Sequence, residues 1–174
     1  MKCQQLNLSS AGGRMNHCIF SSDLRYRYTL THDIDITATQ LTVCWIGLNP
    51  STADEDRMDP TLRRIRSFSL RQGFGRFIMC NLYAFRSSKP YRLREVSDPV
   101  GKENNFHISG SAWKSNLIVA AWGAITFKKE RAQQVMKILE PIGVPVMCLG
   151  RTKEGHPRHP LFVRGDQELE VFSL

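Results

Sequence analysis

The chain has 174 residues, of which 24 are Lys or Arg and 16 are Asp or Glu, so its formal net charge is +8. This length suits one domain, and a hydrophobic content of 41% is enough for an ordinary core. No apolar stretch is long enough to cross a bilayer, and the first residues lack the apolar middle region of a signal peptide. We therefore expect a soluble cytoplasmic protein without a membrane partner.

The first part of the chain predicts an arm followed by a hairpin. Residues 1–14 are polar and without periodicity, so we expect a flexible arm before a single α/β domain that spans residues 15–174. The short apolar segments HCIF (17–20) and YRYTL (26–30) flank the turn-like sequence SSDLR. This pattern predicts an N-terminal β-hairpin.

Buried strands and helices alternate through the rest of the chain. Continuous apolar runs predict strands over 41–48, 76–85, 116–124 and 144–150. Helices are predicted from Asp59 (N-cap) and Pro60 to Gly73, over 103–115, and over 130–143. The alternation indicates an α/β fold, a three-layer sandwich around a central, mostly parallel four-stranded sheet.

Polar residues and glycines follow the ends of these four strands. They are Asn49, Asn81, Gly123 and Gly150. Because ligands bind at the carboxyl ends of strands in such sheets, we expect these residues to converge on one cleft.

Two asparagines in this set are candidates for chemistry. Asn49 lies between a buried strand and Pro50, which restricts it and would aim its amide at a water or ligand; the alternative is an Asn that only closes a turn. Asn81 interrupts an apolar strand, where a buried amide is costly unless it is paired. It either bonds neighbouring backbone or recognises the edge of a planar ligand.

The cysteines and histidines do not form a metal motif. The cysteine count of five is odd and no C-x-x-C is present, so we expect buried thiols and no metal or cofactor. His156 and His159 each precede a proline, which forbids the helix that would pair them as ligands. Their position beside Arg158 favours an anionic ligand instead.

The basic residues are clustered in the middle of the chain. Between residues 57 and 94 there are ten Lys or Arg and a single acid, Asp59. Such a bias favours a polyanionic partner, nucleic acid or nucleotide, over a merely solvated basic surface.

The ordered motifs YRYTL, GLNPSTAD, DPTLRR, NLYAFR, DPVGKEN, AAWGA and HPRHPL resemble the bacterial and phage family called domain of unknown function 1643, over roughly residues 15–165. A more distant resemblance is to the uracil-DNA glycosylase superfamily. It is carried by the G-x-N-P loop at 47–50, the strand asparagine Asn81, the W-G-A segment at 122–124 and the H-P loop at 159–160.

The second resemblance implies a fold and a reaction. The sheet would be of the uracil-DNA glycosylase type, and the protein would extrude a base from DNA, in preference to RNA, and cleave its glycosidic bond. Asn49 would position water and His159 would bind the departing base. Asn81, Ser51 and Pro50 would form the base pocket, where Ser51 replaces a typical Tyr and leaves room for a modified base. Phosphates would be bound by the following residues: His156, Arg158, Arg63, Arg64 and Arg86.

Two other functions fit the same residues. The chain could be a nucleic-acid-binding module that keeps the pocket without the reaction, because Asn rather than Asp occupies position 49. It could also be an enzyme that acts on free nucleosides or nucleotides. The oligomeric state is left open by these patterns.

Overall fold

The computed structural model describes residues 16–51, 58–124 and 129–174. The arm predicted for residues 1–14 lies outside the described residues. No helix in the described part of the chain is long and apolar enough to cross a membrane.

A single mixed sheet organises the fold. Its strands, in the spatial order β1-β2-β4-β3-β5-β6-β7, are β1 (Asn16–Phe20), β2 (Arg27–Asp33), β3 (Thr42–Gly47), β4 (Arg76–Asn81), β5 (Leu117–Ala120), β6 (Val146–Cys148) and β7 (Glu170–Val171). The four central strands β4, β3, β5 and β6 are parallel, and the outer strands β1, β2 and β7 are antiparallel to their neighbours.

The prediction of a central four-stranded sheet plus an N-terminal β-hairpin is corrected to one sheet of seven strands that includes the hairpin. The hairpin is present, but β2 pairs with β4 from Leu30↔Met79 to Asp33↔Arg76, so β1 and β2 extend the central sheet. The chain terminus adds β7 at the opposite edge. The parallel strands are thus flanked on both sides by antiparallel strands, and β1 and β7 form the two edges of the sheet.

Three α-helices, α1 (Pro60–Arg71), α2 (Asn104–Trp113) and α3 (Lys129–Leu139), occur in the described residues, close to the predicted positions. The predicted N-cap of α1 is confirmed, because the Leu62 amide donates to Asp59 Oδ1 over 2.8 Å and Pro60 is the first helical residue. The strand predicted over 76–85 ends at Asn81, and of residues 82–85 only Phe85 pairs again, in an isolated antiparallel bridge with Tyr26.

The helices cover both faces of the sheet. Leu62, Ile65 and Phe68 of α1 pack on one face, against the strand residues Val43, Trp45, Phe77 and Met79. Helices α2 and α3 pack on the other face, against Cys44, Ile46, Ile78 and Cys80. Successive strand residues point to opposite faces, so the central strands are buried on both sides, as their continuous apolar sequences predict.

Candidate functional site

A cavity of about 830 Å³ opens at the carboxyl ends of the central strands, on the face that carries α1. Three of the four residues predicted to converge, Asn49, Asn81 and Gly123, line it, whereas Gly150 does not. Further lining residues come from β2, the start of α1 and the segments after β5 and β6, among them Arg27, Asp59, Trp122, Lys153, Arg158, His159 and Phe162.

Gly47 provides the space for the centre of this cavity. It is paired with Asn81 across the parallel ladder of β3 and β4. A Cβ atom at residue 47 would lie 2.8 Å from Asn81 Oδ1 and 2.5 Å from Met79 Cε, both closer than carbon contacts allow. The absence of a side chain at Gly47 therefore lets the Asn81 amide lie against the end of β3.

Asn81 presents an unsatisfied amide at the floor of the cavity. Its side chain is 1% exposed, and neither Nδ2 nor Oδ1 has a hydrogen-bond partner among the described residues. Leaving a buried donor or acceptor unpaired costs about 1–3 kcal/mol, so such a group is retained where a ligand or bound water completes it. The alternative from the sequence was an Asn81 side chain bonded to neighbouring backbone, and the described residues show no such hydrogen bond.

Asn49 is oriented by two backbone carbonyls. Its Nδ2 donates to the Ser87 carbonyl over 2.7 Å and to the Pro50 carbonyl over 3.1 Å. Two carbonyl acceptors require the amino group on that side, which fixes the amide orientation. Both amide hydrogens are then used, and Oδ1 is the group that Asn49 can offer to a water or ligand, as an acceptor only.

The loop that carries Asn49 is joined to the loop after β4. The Ser87 amide donates to the Pro50 carbonyl over 2.9 Å, the reciprocal of the bond from Asn49 to Ser87. Pro50 itself is buried and does not line the cavity. Its contribution in this geometry is the carbonyl that anchors Ser87, and contact with a base stays a prediction.

Ser51 and Asp59 form the wall beside α1. Ser51 Oγ donates to Asp59 Oδ2 over 2.7 Å, while Asp59 Oδ1 accepts from the Leu62 amide over 2.8 Å. Both carboxylate oxygens of Asp59 are thus used in holding the start of α1, although its negative charge also reaches the cavity. The sequence indicated only its capping role.

The surroundings of His159 favour a neutral imidazole and one of its tautomers. Its Nδ1 accepts a hydrogen bond from the Leu161 amide over 3.3 Å. Burial lowers the pKa of the imidazole, and the negative charge of Asp59 opposes part of that shift. A neutral ring whose Nδ1 is an acceptor carries its proton on Nε2, so His159 can donate one hydrogen bond from Nε2 to a ligand.

Two residues at the floor of the cavity were not among the predicted site residues. Arg27 at the start of β2 is 3% exposed and Trp122 after β5 is 2% exposed. The indole Nε1 of Trp122 has no hydrogen-bond partner in the described chain. The sequence held a signal for Arg27, since a charged residue inside the strand sequence YRYTL is buried only where the protein or a ligand pairs with it.

The residues predicted to bind phosphate do not all lie at the main cavity. Arg158 is exposed and lines the cavity mouth with Lys153, whereas His156 lines a separate cavity of about 250 Å³. Arg63 is exposed on α1 and donates to the Met58 carbonyl.

Two other predicted phosphate ligands support neighbouring loops. The guanidinium of Arg64 donates to the carbonyls of Pro160 and Val163 over 3.2 and 2.7 Å, and so fastens the short helical turn after His159 onto α1. Arg86 donates to the Leu24 carbonyl over 3.1 Å and lies over the ring of Phe20. Neither guanidinium lines the cavity.

Metal ligands are not grouped in the described ranges, where no set of three or more His, Cys, Asp or Glu side chains could hold an ion. The four cysteines of those ranges are free thiols, and Cys44, Cys80 and Cys148 are buried as expected. The cavity lining offers amides, an indole, an imidazole and guanidinium groups, together with hydroxyls, the ammonium of Lys153 and the carboxylates of Asp59 and Glu154.

These features define a mixed α/β protein with a cavity of about 830 Å³ at the carboxyl ends of its parallel strands. The family model described as protein of unknown function DUF1643 matches residues 27–161, and the chain belongs to this family. The matched range begins at Arg27 and ends at Leu161, so it includes the cavity floor and His159. No curated protein and no solved structure matches the chain.

Proposed function

We propose that this protein is an N-glycosidase related to the DNA glycosylases, which releases an unusual or modified base from DNA. The observation that carries the proposal is the buried, unpartnered amide of Asn81 at the floor of the cavity. A donor and an acceptor side by side match the edge of a nucleobase, and a site left unpaired without its ligand selects strongly for the base that satisfies it.

The cavity has the dimensions and the chemistry for a base with its sugar. Its volume of about 830 Å³ lies within the range of about 300–1,000 Å³ that is common for small-molecule sites. Trp122 adds an indole N–H donor at the floor. At the wall beside α1, the small side chain of Ser51 leaves space in the cavity. A base with an extra substituent therefore has space where a large aromatic residue would exclude it.

Asn49 supplies the position for the attacking water. With both amide hydrogens bonded to backbone, its Oδ1 accepts a hydrogen bond from water and aims a lone pair of that water at the sugar. An amide does not take the proton, which passes to solvent after the water oxygen bonds to the anomeric carbon.

His159 acts on the departing base. The C–N glycosidic bond breaks with its electron pair moving to the base, and His159 Nε2–H donates a hydrogen bond to the oxygen where that charge collects. The lowered pKa keeps the imidazole neutral at neutral pH, so it acts as a hydrogen-bond donor without having to gain a proton first.

The cavity mouth favours a polymer over a free nucleotide. Phe162 is 78% exposed beside the cavity and packs on the ring of His159 at 5.5 Å, while Lys153 and Arg158 are exposed at the same mouth. An apolar side chain next to cations suits a strand whose neighbouring bases stack at the surface while one nucleotide enters. The proposed kinship is with the uracil-DNA glycosylase superfamily, on the motifs at 47–50, Asn81, 122–124 and 159–160.

One observation favours a second candidate, a nucleic-acid-binding module without turnover. Position 49 carries an amide, and Asp59, the carboxylate of the cavity wall, has both oxygens bonded. An amide cannot take a proton from water, so Asn49 would not act as the general base that a carboxylate at position 49 could be.

A base-release assay tests the proposal. Single- and double-stranded oligonucleotides would carry uracil, hydroxymethyluracil, hypoxanthine or a modified pyrimidine, and alkali would cleave at each abasic site. We expect release of at least one base, with loss of about 100-fold or more in Asn49→Ala and in His159→Ala. His17→Ala, which removes an exposed imidazole on β1, is the matched control and should keep full activity.

The outcomes separate the candidates. Equal turnover in wild type and both cavity variants would remove the assigned roles. Tight, salt-sensitive duplex binding with no base released across the panel would establish the binding module instead. Release from nucleosides but not from oligonucleotides would place the chain among enzymes that act on free nucleosides.

A further inference from the structure

Two buried side chains hold the backbone at the end of β4 from the face of the sheet opposite to α1. Asn104, the first residue of α2, is 0% exposed, and its Nδ2 donates to the carbonyls of Asn81 and Leu82, each over 3.1 Å. Arg131 of α3 is 3% exposed, and its Nε donates to the same Leu82 carbonyl over 2.7 Å. The carbonyl of Asn81 is thus bonded to α2, whereas its side chain lines the cavity.

The peptide unit between Asn81 and Leu82 is held at both of its polar atoms. Its carbonyl accepts from Asn104, and its amide, on Leu82, donates to the Gly47 carbonyl of β3 over 2.9 Å. A peptide unit is planar, so hydrogen bonds at its two opposite ends fix its orientation. That orientation, together with the ladder that precedes Asn81, determines where the Asn81 side chain points. Asn104 therefore directs the Asn81 amide, although it does not line the cavity itself.

The sequence motif DPVGKEN (98–104) places Asn104 beside this peptide unit. Asp98 Oδ1 accepts from the amides of Val100 and Gly101 over 3.0 Å each, which folds the motif into a turn. The Asn104 backbone amide donates to the Gly101 carbonyl over 3.1 Å, and the Ala84 amide donates to the Val100 carbonyl over 3.1 Å. The turn is therefore fastened both to the start of α2 and to the segment after β4.

Neither of the two side chains is fully satisfied in its position. Asn104 Oδ1 and Arg131 Nη2 are buried without a hydrogen-bond partner in the described part of the chain, and the bond from Arg131 Nη1 to Gln134 Oε1 is long, at 3.4 Å. Unpaired buried polar atoms lower stability, and apolar residues can often fill such positions at less cost. The shortest hydrogen bonds of both side chains go to the end of β4. Proteins retain costly groups of this kind mainly at sites that serve function.

We propose that Asn104 and Arg131 are positioning residues, which hold the carbonyls of Asn81 and Leu82 so that the Asn81 amide meets its ligand in one orientation. Neither residue lines the cavity, so both act through Asn81. A donor and an acceptor discriminate between ligand edges only if they are held to within about 0.5 Å of the matching geometry. Under the proposed function, on which this step rests, the ligand edge is that of a base.

Base selectivity is the property that these two residues should control. In Asn104→Ala the Asn81 carbonyl loses this hydrogen bond, so the Asn81 amide can turn away from the orientation that matches the preferred base. We expect release of that base from a duplex to slow about 30-fold, because small misplacements cost up to about 100-fold. Bases that already fit poorly should slow much less, so the ratio of the rates for the preferred and the next best base should shrink about 10-fold.

Ile108→Val is the matched control for Asn104→Ala. Ile108 lies in the same helix, is also 0% exposed and packs in the core on that face, and the change removes one methylene group and no hydrogen bond. It should lower the melting temperature and leave the rate ratio as in wild type. A merely structural role of Asn104 predicts the same behaviour for Asn104→Ala, with equal slowing for every base.

Arg131→Lys tests the second residue and keeps the inference falsifiable if Asn104→Ala does not fold. Lys retains the positive charge but not the Nε donor, so the Leu82 carbonyl loses one bond while both bonds from Asn104 remain. We expect the rate ratio to shrink about 3-fold, because a single hydrogen bond is removed. A ratio equal to that of wild type would remove Arg131 from the role.

A measurement on the ligand-free protein does not depend on turnover. NMR of isotope-labelled protein would give the order parameter of the Asn81 side-chain amide, whose signals are assigned by their loss in Asn81→Asp. We expect a lower order parameter in Asn104→Ala than in wild type, a smaller decrease in Arg131→Lys and no change in Ile108→Val.

These results separate this inference from the function on which it rests. An Asn81 order parameter that is unchanged in Asn104→Ala, or equal slowing of release for all bases, would overturn the positioning role while the glycosidase stands. A wild type that releases no base from any oligonucleotide would reject the glycosidase, and the order parameter would then decide the positioning role alone.

Discussion

The floor and the mouth of the cavity are built from different parts of the fold. The floor residues Arg27, Asn81 and Trp122 lie on strands or directly after them and are at most 3% exposed. The mouth residues Lys153, Arg158 and Phe162 lie on the segment after β6 and are exposed. At the floor, the Asn81 amide and Trp122 Nε1 have no hydrogen-bond partner in the described chain, whereas Arg158 at the mouth donates to the Arg151 carbonyl over 3.0 Å.

This difference indicates that the floor and the mouth of the cavity have different roles in binding. Strand ladders hold the floor rigidly, so its donors and acceptor can select a base by geometry. The mouth is a solvated surface of charge and one aromatic ring, which suits contacts to a backbone that is the same for every sequence. Changes at the floor should alter which base is bound, and changes at the mouth should alter affinity for all substrates alike.

The largest effect is expected at the centre of the floor. Asn81→Asp keeps the shape of the side chain but replaces the Nδ2 donor with a second acceptor and a charge. We expect release or binding of the preferred base to fall on the order of 100-fold, because a buried site then faces the ligand with a mismatched group. Asn105→Asp, the same change at an exposed position of α2, should have no effect.

Base selectivity is the measurement that sharpens this prediction. Rates or affinities across the oligonucleotide panel should change unequally in Asn81→Asp, with the order of bases altered. A uniform loss for every base would mean that Asn81 acts on the fold of the floor and not on base recognition.

A moderate effect is expected at the mouth. The double variant Lys153→Gln and Arg158→Gln removes two exposed cations, so the slope of log Kd against log salt concentration should fall by about 2. Affinity should weaken equally for duplexes that differ only in the target base. Titrations at several salt concentrations measure both quantities.

The control for the mouth is on the opposite face of the sheet. Lys114→Gln and Lys137→Gln remove the same charge from exposed positions on or beside α2 and α3, away from the cavity. If this control reduces the salt slope as much as the mouth variant, the dependence reflects net charge and not a defined path for the strand.

The smallest effect concerns stability and pH at His159. Burial lowers the pKa of His159 in the folded state below its unfolded value near 6.5. The folded state then binds fewer protons than the unfolded state as the pH falls through this window, so the free energy of unfolding decreases below about pH 6.5 and is unaffected above it. Urea unfolding of wild type and His159→Gln at pH 7.5 and pH 5 should show a greater acid loss in wild type. An equal loss in both proteins would assign the acid sensitivity to other groups.

Local patterns in the sequence predicted much of the fold. Continuous apolar runs located the four parallel strands, because a strand that is buried on both faces needs apolar side chains at every position. Asp59 and Pro60 located the start of α1, because capping depends on a few adjacent residues. Asn81 was recognisable for the same reason, since a polar residue inside an apolar strand is conspicuous in one dimension.

Arg64 and His156 show why other site residues were not predictable. A cluster of arginines indicates a polyanion, but the Arg64 guanidinium is used by carbonyls of Pro160 and Val163, which lie almost one hundred residues later in the chain. His156 and His159 share a sequence motif, yet they face two different cavities. Which partner a long side chain meets depends on distant segments, and composition does not encode it.

By itself, the sequence determined the succession of strands and helices and the N-cap of α1, because both depend on local sequence patterns. It also determined that polar residues lie together where the parallel strands end, because parallel strands run in the same direction. Tertiary structure alone decided that the hairpin would join the central sheet and that an extra residue at Tyr28 would turn Arg27 into the cavity. Strand pairing and register depend on contacts between residues that are far apart in the sequence. The residues that form the cavity floor could therefore be named only from a structure in which β2 pairs with β4.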